Sequence, residues 1–429
     1  MRDVVALAQA ARFAEALRPG VMGPRLAPVS GAGPGAPAPC HVLDAKYEPG
    51  VRAVLLYEQD GRLLRGDLVD GGDAMATTGA TVVEPGVVLS AFPHDPELPA
   101  LPRVMDPAQL GPALSAAVGG AWGRLDTRQA SRCRITLLRY RPGKRATVLV
   151  THGAAPAVVA KAYHNPAKAA AVVAEAPDLR AATNGGGLLA FAPTLAFVPD
   201  LALVVQQVVH GVPLDSLLGG HRGTGRGASE ALVHAARALA ELHDAPVMST
   251  RQRPVEKELL RFRQRADRIA TVDPQVGRAA AHLAVRLIST HDHLPPARAG
   301  TVHGDCKPSQ FLIGEGRVYL LDLDHCGVSD QAADVGTFLA TLRQQEIRDD
   351  LAGRGRPSAR TSAARGALFT GAYLDNSAGD RHLARIHWQE AVALERKALR
   401  AFARAPHSPM ARALIWEAER CLDNLREAA

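Results

Sequence analysis

Residues 303–325 read HGDCKPSQFLIGEGRVYLLDLDH, and this stretch decides the fold. It joins a short loop that carries Asp305 to a β-like run, RVYLL, which leads to Asp322 and Asp324. The run would return beside the loop, and alternate residues of a strand share a side, so we expect Asp322 and Asp324 to lie near Asp305. Gln310, five positions after Asp305, adds a carboxamide oxygen. Two carboxylates and a carboxamide make a hard-oxygen site that suits Mg²⁺.

The length and composition indicate a globular protein with more than one compact unit. The chain has 429 residues, more than one hydrophobic core usually contains, so two or three units are expected. Hydrophobic residues make up 47% and charged residues 22% of it, the balance of a soluble globular protein. The formal charge is +7, but the cations are dispersed among acids without a block of like charges. We therefore predict no nucleic-acid partner.

The sequence shows no pattern of a membrane or secreted protein. Near the start, an apolar run is interrupted by Gln9, Arg12 and Glu15, which favours an amphipathic helix over a signal peptide. No run of 18 apolar residues occurs, so we expect no membrane span. The five cysteines are scattered without a CxxC pair, so no disulfide framework is expected. The predicted location is the cytoplasm.

Strand patterns precede helix patterns along the chain. A first helix is followed by a stretch dense in Pro, Gly and Ala, which predicts a linker, and then by short runs that predict strands. From 228 onward the apolar residues repeat at helical spacing, except around 300–326. This order predicts a segregated α+β fold with a β-rich lobe and a helical lobe. The predicted segments are 1–39 (helix and linker), 40–125 (β-rich accessory module), 126–210 (β-rich lobe) and 211–429 (helical lobe).

The sequence also repeats itself. YEPGVRAVLL from Tyr47 and YRPGKRATVL from Tyr140 share the pattern Y-x-P-G-x-R-A-x-x-L. Both predict two strands joined by a turn with Pro second and Gly third, as in a type II turn. Two explanations stay open: a partial duplication of a small β-unit, or two unrelated hairpins that share a favoured turn.

The opening stretch resembles a known family. Phosphoryl transfer needs a Lys that holds phosphates, oxygen ligands for Mg²⁺ and an acid that orients the acceptor hydroxyl. The spaced motifs HGDCKPSQFL and YLLDLDHCGVSDQAADVGTFLA resemble the core of the aminoglycoside phosphotransferase and choline kinase type. The resemblance covers roughly 133–400. It implies a protein-kinase-like fold and an enzyme that uses ATP and Mg²⁺ to phosphorylate a hydroxyl of a small molecule, either a sugar-like or an antibiotic-like acceptor.

The resemblance also implies roles for single residues. Asp305 would be the catalytic base, and Lys307 would contact the transferred phosphate. Asp322 would be the principal Mg²⁺ ligand, beside Gln310 and Asp324. His303 and Asp334 would hold the catalytic loop through backbone hydrogen bonds.

Further residues would bind the nucleotide. Lys161, at the end of the run AVVAK, would pair with the α- and β-phosphates, as the strand-borne Lys of kinases does. Its partner on the following helix would be Glu175. The loop YRPGKRA would cover the phosphates with a single Gly, and its Arg145 would offset charge on the γ-phosphate. The stretch 204–211 resembles the connector between lobes, whose backbone would contact adenine through Gln206, Gln207 and Val208.

Gln310 departs from the family pattern, which has Asn at this position. Gln keeps the oxygen donor and moves it by one methylene, so metal binding survives if the backbone recedes by about a bond length. Three functions therefore stay open: an active small-molecule kinase, a pseudokinase that binds nucleotide or a partner, and, because of Lys307, a protein Ser/Thr kinase. Ten Arg or Lys against five Asp or Glu in 251–298 favour a neutral or anionic acceptor, such as a sugar.

Overall fold

The structure is a computed structural model, and it describes residues 2–30, 39–69, 80–84, 86–122, 127–130, 132–183, 186–219, 226–354, 359–378 and 382–427. The chain forms two compact units. The first comprises Met1–Ala174, Pro193–Val208 and Ala403–Ala405, and the second comprises Glu175–Ala192, Val209–Phe402 and Pro406–Ala429. The chain enters the second unit at Glu175, leaves it after Ala192, and re-enters it at Val209, within the stretch 204–211 predicted as the connector. The finer division into four segments stays a prediction.

The first unit begins with two helices and an N-terminal sheet of five antiparallel strands. The sheet has the order β1-β2-β3-β5-β4. Phe13 of the first helix stacks on Tyr47 of the first strand, with ring centroids 4.8 Å apart. The elements are α1 (Arg2–Ala16), α2 (Pro19–Ser30), β1 (Cys40–Glu48), β2 (Arg52–Gln59), β3 (Arg62–Leu68), β4 (Ala80–Glu84) and β5 (Val87–Ala91).

The linker prediction is wrong for 19–30, which form helix α2 despite two internal prolines. Met22 and Leu26 of this helix are fully buried. The Gln59 side chain donates a hydrogen bond to the carbonyl of Gly23 at 3.0 Å. Packing on the sheet therefore outweighs the low helix propensity of the segment. Residues 31–38 of the predicted linker lie outside the described residues.

A second sheet of the first unit has the order β10-β11-β8-β7-β6. One face packs against Ala169 and Val173 of α6. The other face shares a core with Leu110 and Leu114 of α4, and this core also includes Leu56 of the N-terminal sheet. The elements are α3 (Leu101–Val104), α4 (Pro107–Val118), α5 (Thr127–Ala130), β6 (Arg134–Arg141), β7 (Arg145–His152), β8 (Ala155–Tyr163), α6 (Pro166–Thr183), β10 (Thr194–Val198) and β11 (Leu203–Gln207). Strand β9 (Leu189–Ala190), which lies between α6 and β10 in the sequence, belongs to the second unit.

The two sheets repeat one topology. Read from β1 and from β6, each has three consecutive strands followed by the fifth and then the fourth. The two Pro-Gly hairpins also have the same register, because Glu48 pairs with Arg52 and Arg141 pairs with Arg145. The turn glycines have φ of 67° and 65°, and each turn closes with an N–H to carbonyl hydrogen bond, at 2.9 and 3.0 Å. This correspondence favours a duplicated β-unit over two unrelated hairpins.

The second unit is mainly helical, as the apolar periodicity predicts. Its two small sheets have the orders β12-β14-β15-β9 and β13-β16. Phe338 and Phe369 stack in its core beside Phe311, with the ring centroids of the stacked pair 3.7 Å apart. The elements are β12 (Val212–Pro213), α7 (Leu214–Leu218), α8 (Arg226–Asp244), α9 (Val255–Ala270), α10 (Pro274–His291), β13 (Ala299–Val302), β14 (Phe311–Ile313), β15 (Val318–Leu320), β16 (Gly327–Asp330), α11 (Ala332–Leu351), α12 (Ala359–Asp375), α13 (Leu383–Arg404) and α14 (Met410–Glu427).

The predicted α+β fold, with β-rich and helical units, is confirmed. All five cysteines are buried and free. Across the described ranges, no helix combines the length and the apolar character that crossing a bilayer requires.

One buried acid in α13 lacks the partners that a carboxyl group needs. Glu395 is fully buried, and within the described residues neither carboxyl oxygen has a hydrogen-bond partner. Burial, with a smaller contribution from the charge of Glu419, raises the pKa of Glu395 well above its usual range. The unfolded chain ionises this group near pH ~4.3, so it reduces stability increasingly as pH rises above that value.

Replacing Glu395 by Met should therefore stabilise the protein. We expect a gain of about 1–3 kcal/mol at pH 8, because the variant buries no unpaired polar group, and a smaller gain near pH 5. Urea unfolding at both pH values measures it, with Glu256→Met on the exposed face of α9 as the control. An unchanged or lower stability of Glu395→Met at pH 8 would contradict the prediction.

Candidate active site

The predicted catalytic loop connects β13 to the 3-10 turn at Pro308–Gln310 in the second unit. Strand β13 is held by antiparallel pairing with β16, from Ala299↔Asp330 to Val302↔Gly327. Gly304 has a φ of +77°, and a Cβ there would overlap the carbonyl oxygen of His325. The loop conformation therefore requires glycine at this position.

His303 connects this loop to the end of β15. The residue is fully buried. Its Nε2 lies 2.7 Å from the carbonyl oxygen of Leu321 and donates to it, while its Nδ1 accepts the backbone N–H of Asp305 at 3.3 Å. The imidazole thus orients the backbone that carries Asp305.

Asp334, in the first turn of α11, holds the backbone of the same loop. Its buried carboxylate accepts the backbone N–H groups of His303 at 2.6 Å and Gly304 at 2.8 Å. A third contact, at 3.2 Å, joins it to Nε2 of His243, whose Nδ1 contacts the Tyr373 hydroxyl at 2.7 Å. Burial would raise the pKa of Asp334, but His243 and the loop backbone together hold it below its usual range.

Asp305 forms an ion pair within its own loop. Lys307 Nζ lies 2.6 Å from Oδ2 of Asp305, and both side chains are about one-fifth exposed, at 22% and 21%. Burial acts to raise the pKa of Asp305, but the charge and hydrogen bond of Lys307, with smaller effects from His325 and Arg400, lower it. Asp305 is therefore an ionised, partly accessible carboxylate that can accept a proton.

Gln310 and Asp322 lie at the same end of the β14–β15 hairpin. The backbone N–H of Leu321 donates to the Gln310 carbonyl at 2.8 Å, which extends the ladder by one pair beyond Phe311↔Leu320. Asp322 follows directly and has a φ of +64°, an uncommon left-handed conformation for a residue other than Gly. The side chains of Gln310 and Asp324 are buried, and Asp322 is half-buried.

The reasoning that placed Asp324 by strand alternation is wrong. Strand β15 ends at Leu320, and Asp324 lies in a 3-10 turn, Leu323–His325, that begins after the left-handed Asp322. Within the described ranges, no group of three His, Cys, Asp or Glu side chains is arranged to bind a metal ion. A metal at this hairpin end would depend on Asp322 together with the carboxamide of Gln310. The predicted role of Asp324 stays a prediction.

Glu175 has partners that the sequence did not suggest. Its carboxylate accepts Arg251 Nε at 2.9 Å, Arg251 Nη2 at 2.6 Å and the Ser249 hydroxyl at 2.8 Å. Arg251 Nη1 also donates to the backbone carbonyl of Asp324 at 3.3 Å. Arg251 thereby links Glu175 to the backbone of the Asp-Leu-Asp turn. Pairing of Glu175 with Lys161 stays a prediction.

The predicted nucleotide-binding residues of the first unit lie on its second sheet. Lys161 is half-buried on β8, between Thr147 of β7 and Val204 of β11. Gln206 and Gln207 end β11, and Val208 is the last residue of the unit before the chain leaves it.

The Pro-Gly turn 141–144 and the residue after it carry three cations, Arg141, Lys144 and Arg145, and the last two differ in environment. Lys144 is exposed. Arg145 is buried, with its guanidinium carbon 5.9 Å from the ring centroid of Tyr163. The exposed Lys144 is therefore better placed than Arg145 to meet a ligand, which the sequence alone did not distinguish.

Sequence reasoning missed His243, Arg251 and Arg400 as contributors to the site. Each lies more than 50 positions from Asp305, and their contacts depend on tertiary packing. A weak signal existed for His243, which ends the amphipathic helix α8.

Comparison with known families agrees with this geometry. The family model described as the phosphotransferase enzyme family matches residues 136–369, more than half of the chain. Comparison with curated proteins gave no match.

Several solved structures are similar to this chain at low sequence identity. A choline kinase from Cryptosporidium parvum Iowa II is 11% identical with a TM-score of 0.51, over 74% of this chain and 96% of that one. The amicoumacin kinase hAmiN, solved with AMP-PNP, Ca²⁺ and Ami, is 16% identical with a TM-score of 0.49, over 68% and 88%. A thermostable mutant of the aminoglycoside phosphotransferase APH(4)-Ia is 12% identical with a TM-score of 0.46, over 69% and 95%.

The likeness to the choline kinase shows a protein-kinase-like fold. Because the family model spans the Asp305 loop and more than half of the sequence, the protein belongs to the phosphotransferase enzyme family.

Proposed function

We propose that the protein transfers the γ-phosphate of ATP to a hydroxyl of a neutral or anionic small molecule, with Mg²⁺ as the metal. The observation that carries this proposal is the Asp305 loop. Its backbone is fixed by Asp334, and its carboxylate is kept ionised by Lys307 at 2.6 Å. A positioned, ionised carboxylate is what orientation and deprotonation of an acceptor hydroxyl require.

Asp305 and Lys307 of the loop have different roles during transfer. Asp305 accepts the proton of the acceptor hydroxyl while the oxygen of that hydroxyl attacks the γ-phosphorus. The bond between the γ-phosphorus and the oxygen bridging to the β-phosphate breaks, and ADP leaves. Lys307 offsets negative charge on the transferred group. On the nucleotide side, Lys161 holds phosphates, and the backbone of Gln206, Gln207 and Val208 contacts adenine.

The donor set at the hairpin end fits Mg²⁺. Asp322 and Gln310 supply hard oxygens at one end of the same hairpin, and Asp324 is two residues beyond Asp322. When bound, Mg²⁺ neutralises charge on the β- and γ-phosphates. Arg251 holds the backbone of this turn through the Asp324 carbonyl.

The charges around Asp305 support the proposed acceptor class. Lys307, His325 and Arg400 all contribute positive potential at its carboxylate. Burial, together with the charge of Arg396, lowers the pKa of the neighbouring Lys397 to about 7, so part of its population is neutral near that pH. The positive potential from Lys307, His325 and Arg400 would repel a polycationic acceptor. It would not repel a sugar or an anionic alcohol.

Substitutions of Gln310 test this function and its rival, an inactive nucleotide-binding protein. The wild type and Gln310→Asn should both release ADP from Mg-ATP in the presence of a sugar and sugar-acid panel. Gln310→Ala should lose about 10- to 100-fold in activity or metal affinity, as metal-site substitutions do. A choline and aminoglycoside panel tests the acceptor class.

Each outcome decides one point. Turnover in Gln310→Asn but not in the wild type would favour the inactive-protein alternative. Turnover only with the aminoglycosides would contradict the acceptor class. Absence of ATP binding in all three proteins would contradict the proposed function itself.

A further inference from the structure

The N-terminal sheet reaches the Pro-Gly turn 141–144 of the second sheet through one buried carboxylate. Asp95 follows β5, and its side chain is fully buried. Its Oδ2 accepts the Tyr140 hydroxyl at 2.7 Å and the backbone N–H of Gly143 at 2.8 Å. Both donors belong to the β6–β7 hairpin, and all of these residues lie in the first unit.

The other oxygen of Asp95 is held by the N-terminal sheet. Oδ1 pairs with Arg65 of β3 and accepts the backbone N–H of Glu97 at 2.9 Å. Arg65 is itself fixed by a bidentate pair with Asp67, at 2.7 and 2.8 Å, and by Glu97 at 2.8 Å. Asp95 therefore bridges the two sheets: it accepts hydrogen bonds from Arg65 and the Glu97 backbone on one side, and from Tyr140 and the Gly143 backbone of the β6–β7 hairpin on the other.

The turn has little freedom to move away from this bridge. Gly143 has a φ of +65°, and a Cβ at this position would overlap the Glu97 carboxylate. The Glu97 carbonyl contacts His164 Nδ1 at 2.7 Å, and the backbone N–H of His164 donates to the Lys144 carbonyl at 3.0 Å. Burial, reinforced by the charge of Asp95, raises the pKa of Tyr140, so its hydroxyl remains a donor.

We propose that Asp95 is a positioning residue for the triphosphate: by holding Tyr140 and Gly143, the N-terminal sheet sets the conformation of the turn that presents Lys144. This inference rests on the proposed function and on the expectation from the sequence that the loop YRPGKRA covers the phosphates of ATP. The N–H of Gly143 points to Asp95 and is not available to a phosphate, so the contribution of the turn comes from the exposed Lys144. The N-terminal module then acts on nucleotide binding without contributing a residue that contacts nucleotide.

The test compares ATP with adenosine, which lacks the phosphates. In Asp95→Asn, the Kd for Mg-ATP measured by calorimetry should rise about tenfold, the equivalent of one hydrogen bond, with the Kd for adenosine unchanged. Asp67→Asn is the matched control, because it weakens the same Arg65 cluster without touching the turn. It should lower the melting temperature and leave both Kd values unchanged.

Tyr140→Phe provides a second variant that removes a single hydroxyl. It should raise the Kd for ATP by a smaller factor than Asp95→Asn does. If Asp95→Asn does not fold, Tyr140→Phe alone tests the proposal. An unchanged Kd for ATP in both variants, or a parallel loss of adenosine binding, would overturn the positioning role. Wild-type protein that binds adenosine but not ATP would overturn the proposed function itself. The wild-type result thus distinguishes a failure of the proposed function from a failure of the positioning role of Asp95 alone.

Discussion

Replacing Asp305 by Asn is expected to lower the rate of phosphoryl transfer by about 10²- to 10⁴-fold, the usual contribution of a general base. Asn has the shape of Asp but cannot accept the proton of the acceptor hydroxyl. The loop should keep its conformation, since His303 and Asp334 hold the backbone and not the Asp305 side chain. Steady-state ADP release measures the rate, and calorimetry should show an unchanged Kd for Mg-ATP.

Two comparisons sharpen this expectation. Asp292→Asn, at an exposed position with 72% of the side chain accessible, should behave as the wild type. Lys307→Met removes the group that most opposes the effect of burial on the pKa of Asp305. The acid side of the pH–rate profile should therefore move to higher pH. Turnover of Asp305→Asn near the wild-type rate would exclude Asp305 as the base.

Replacing Asp334 by Ala is expected to destabilise the second unit by about 3–5 kcal/mol, the usual cost of breaking a buried charged network. The change leaves the N–H groups of His303 and Gly304, and the ring of His243, without their acceptor. The melting temperature should fall by about 10 °C. The rate per folded molecule should also fall, because the same two N–H groups fix the loop that carries Asp305.

A matched control separates stability from catalysis. Asp330→Ala removes another buried carboxylate, which pairs with Arg385 at 2.8 Å and does not touch the catalytic loop. It should lower the melting temperature without lowering the rate per folded molecule. Equal loss of rate in the two variants would show that Asp334 has no specific effect on the loop.

The pH dependence of Asp334→Ala follows from the direction of the pKa shift. The pKa of Asp334 is lowered in the folded protein, so its stabilising effect is present above the unfolded value of about 3.9. That effect is lost as pH falls through the folded pKa. The difference in stability between wild type and variant should therefore be full at pH 7 and should shrink in strong acid, as urea unfolding over a pH series would show.

Local sequence patterns were sufficient to predict the elements whose formation depends on neighbouring residues in the chain. Both Pro-Gly hairpins form where the repeated pattern predicts them, and the turn glycines, Gly50 and Gly143, have positive φ. These features depend on side-chain alternation and on the positive φ that Gly allows. Helix α2 could not be predicted in this way, because its formation depends on burial of Met22 and Leu26.

The site residues that were misplaced or missed depend on long-range contacts. Asp324 was placed by extending β15 four residues beyond its end at Leu320, and the left-handed Asp322 that interrupts the extended run has no signal in the sequence. Glu175 meets Arg251 because Gln252 and its neighbours align with Val328, far along the chain. Asp95 meets the turn at a separation of 48 residues.

The two Pro-Gly hairpins have the same register and differ in the charge of their turns. Between the paired strands the two turns differ only at two positions, where Glu48 and Val51 correspond to Arg141 and Lys144. The first turn therefore carries one negative charge, and the second carries two positive charges on the same fold. If the β-unit was duplicated within an ancestral chain, the two copies diverged in the charge of the turn while its register and its positive-φ glycine stayed the same.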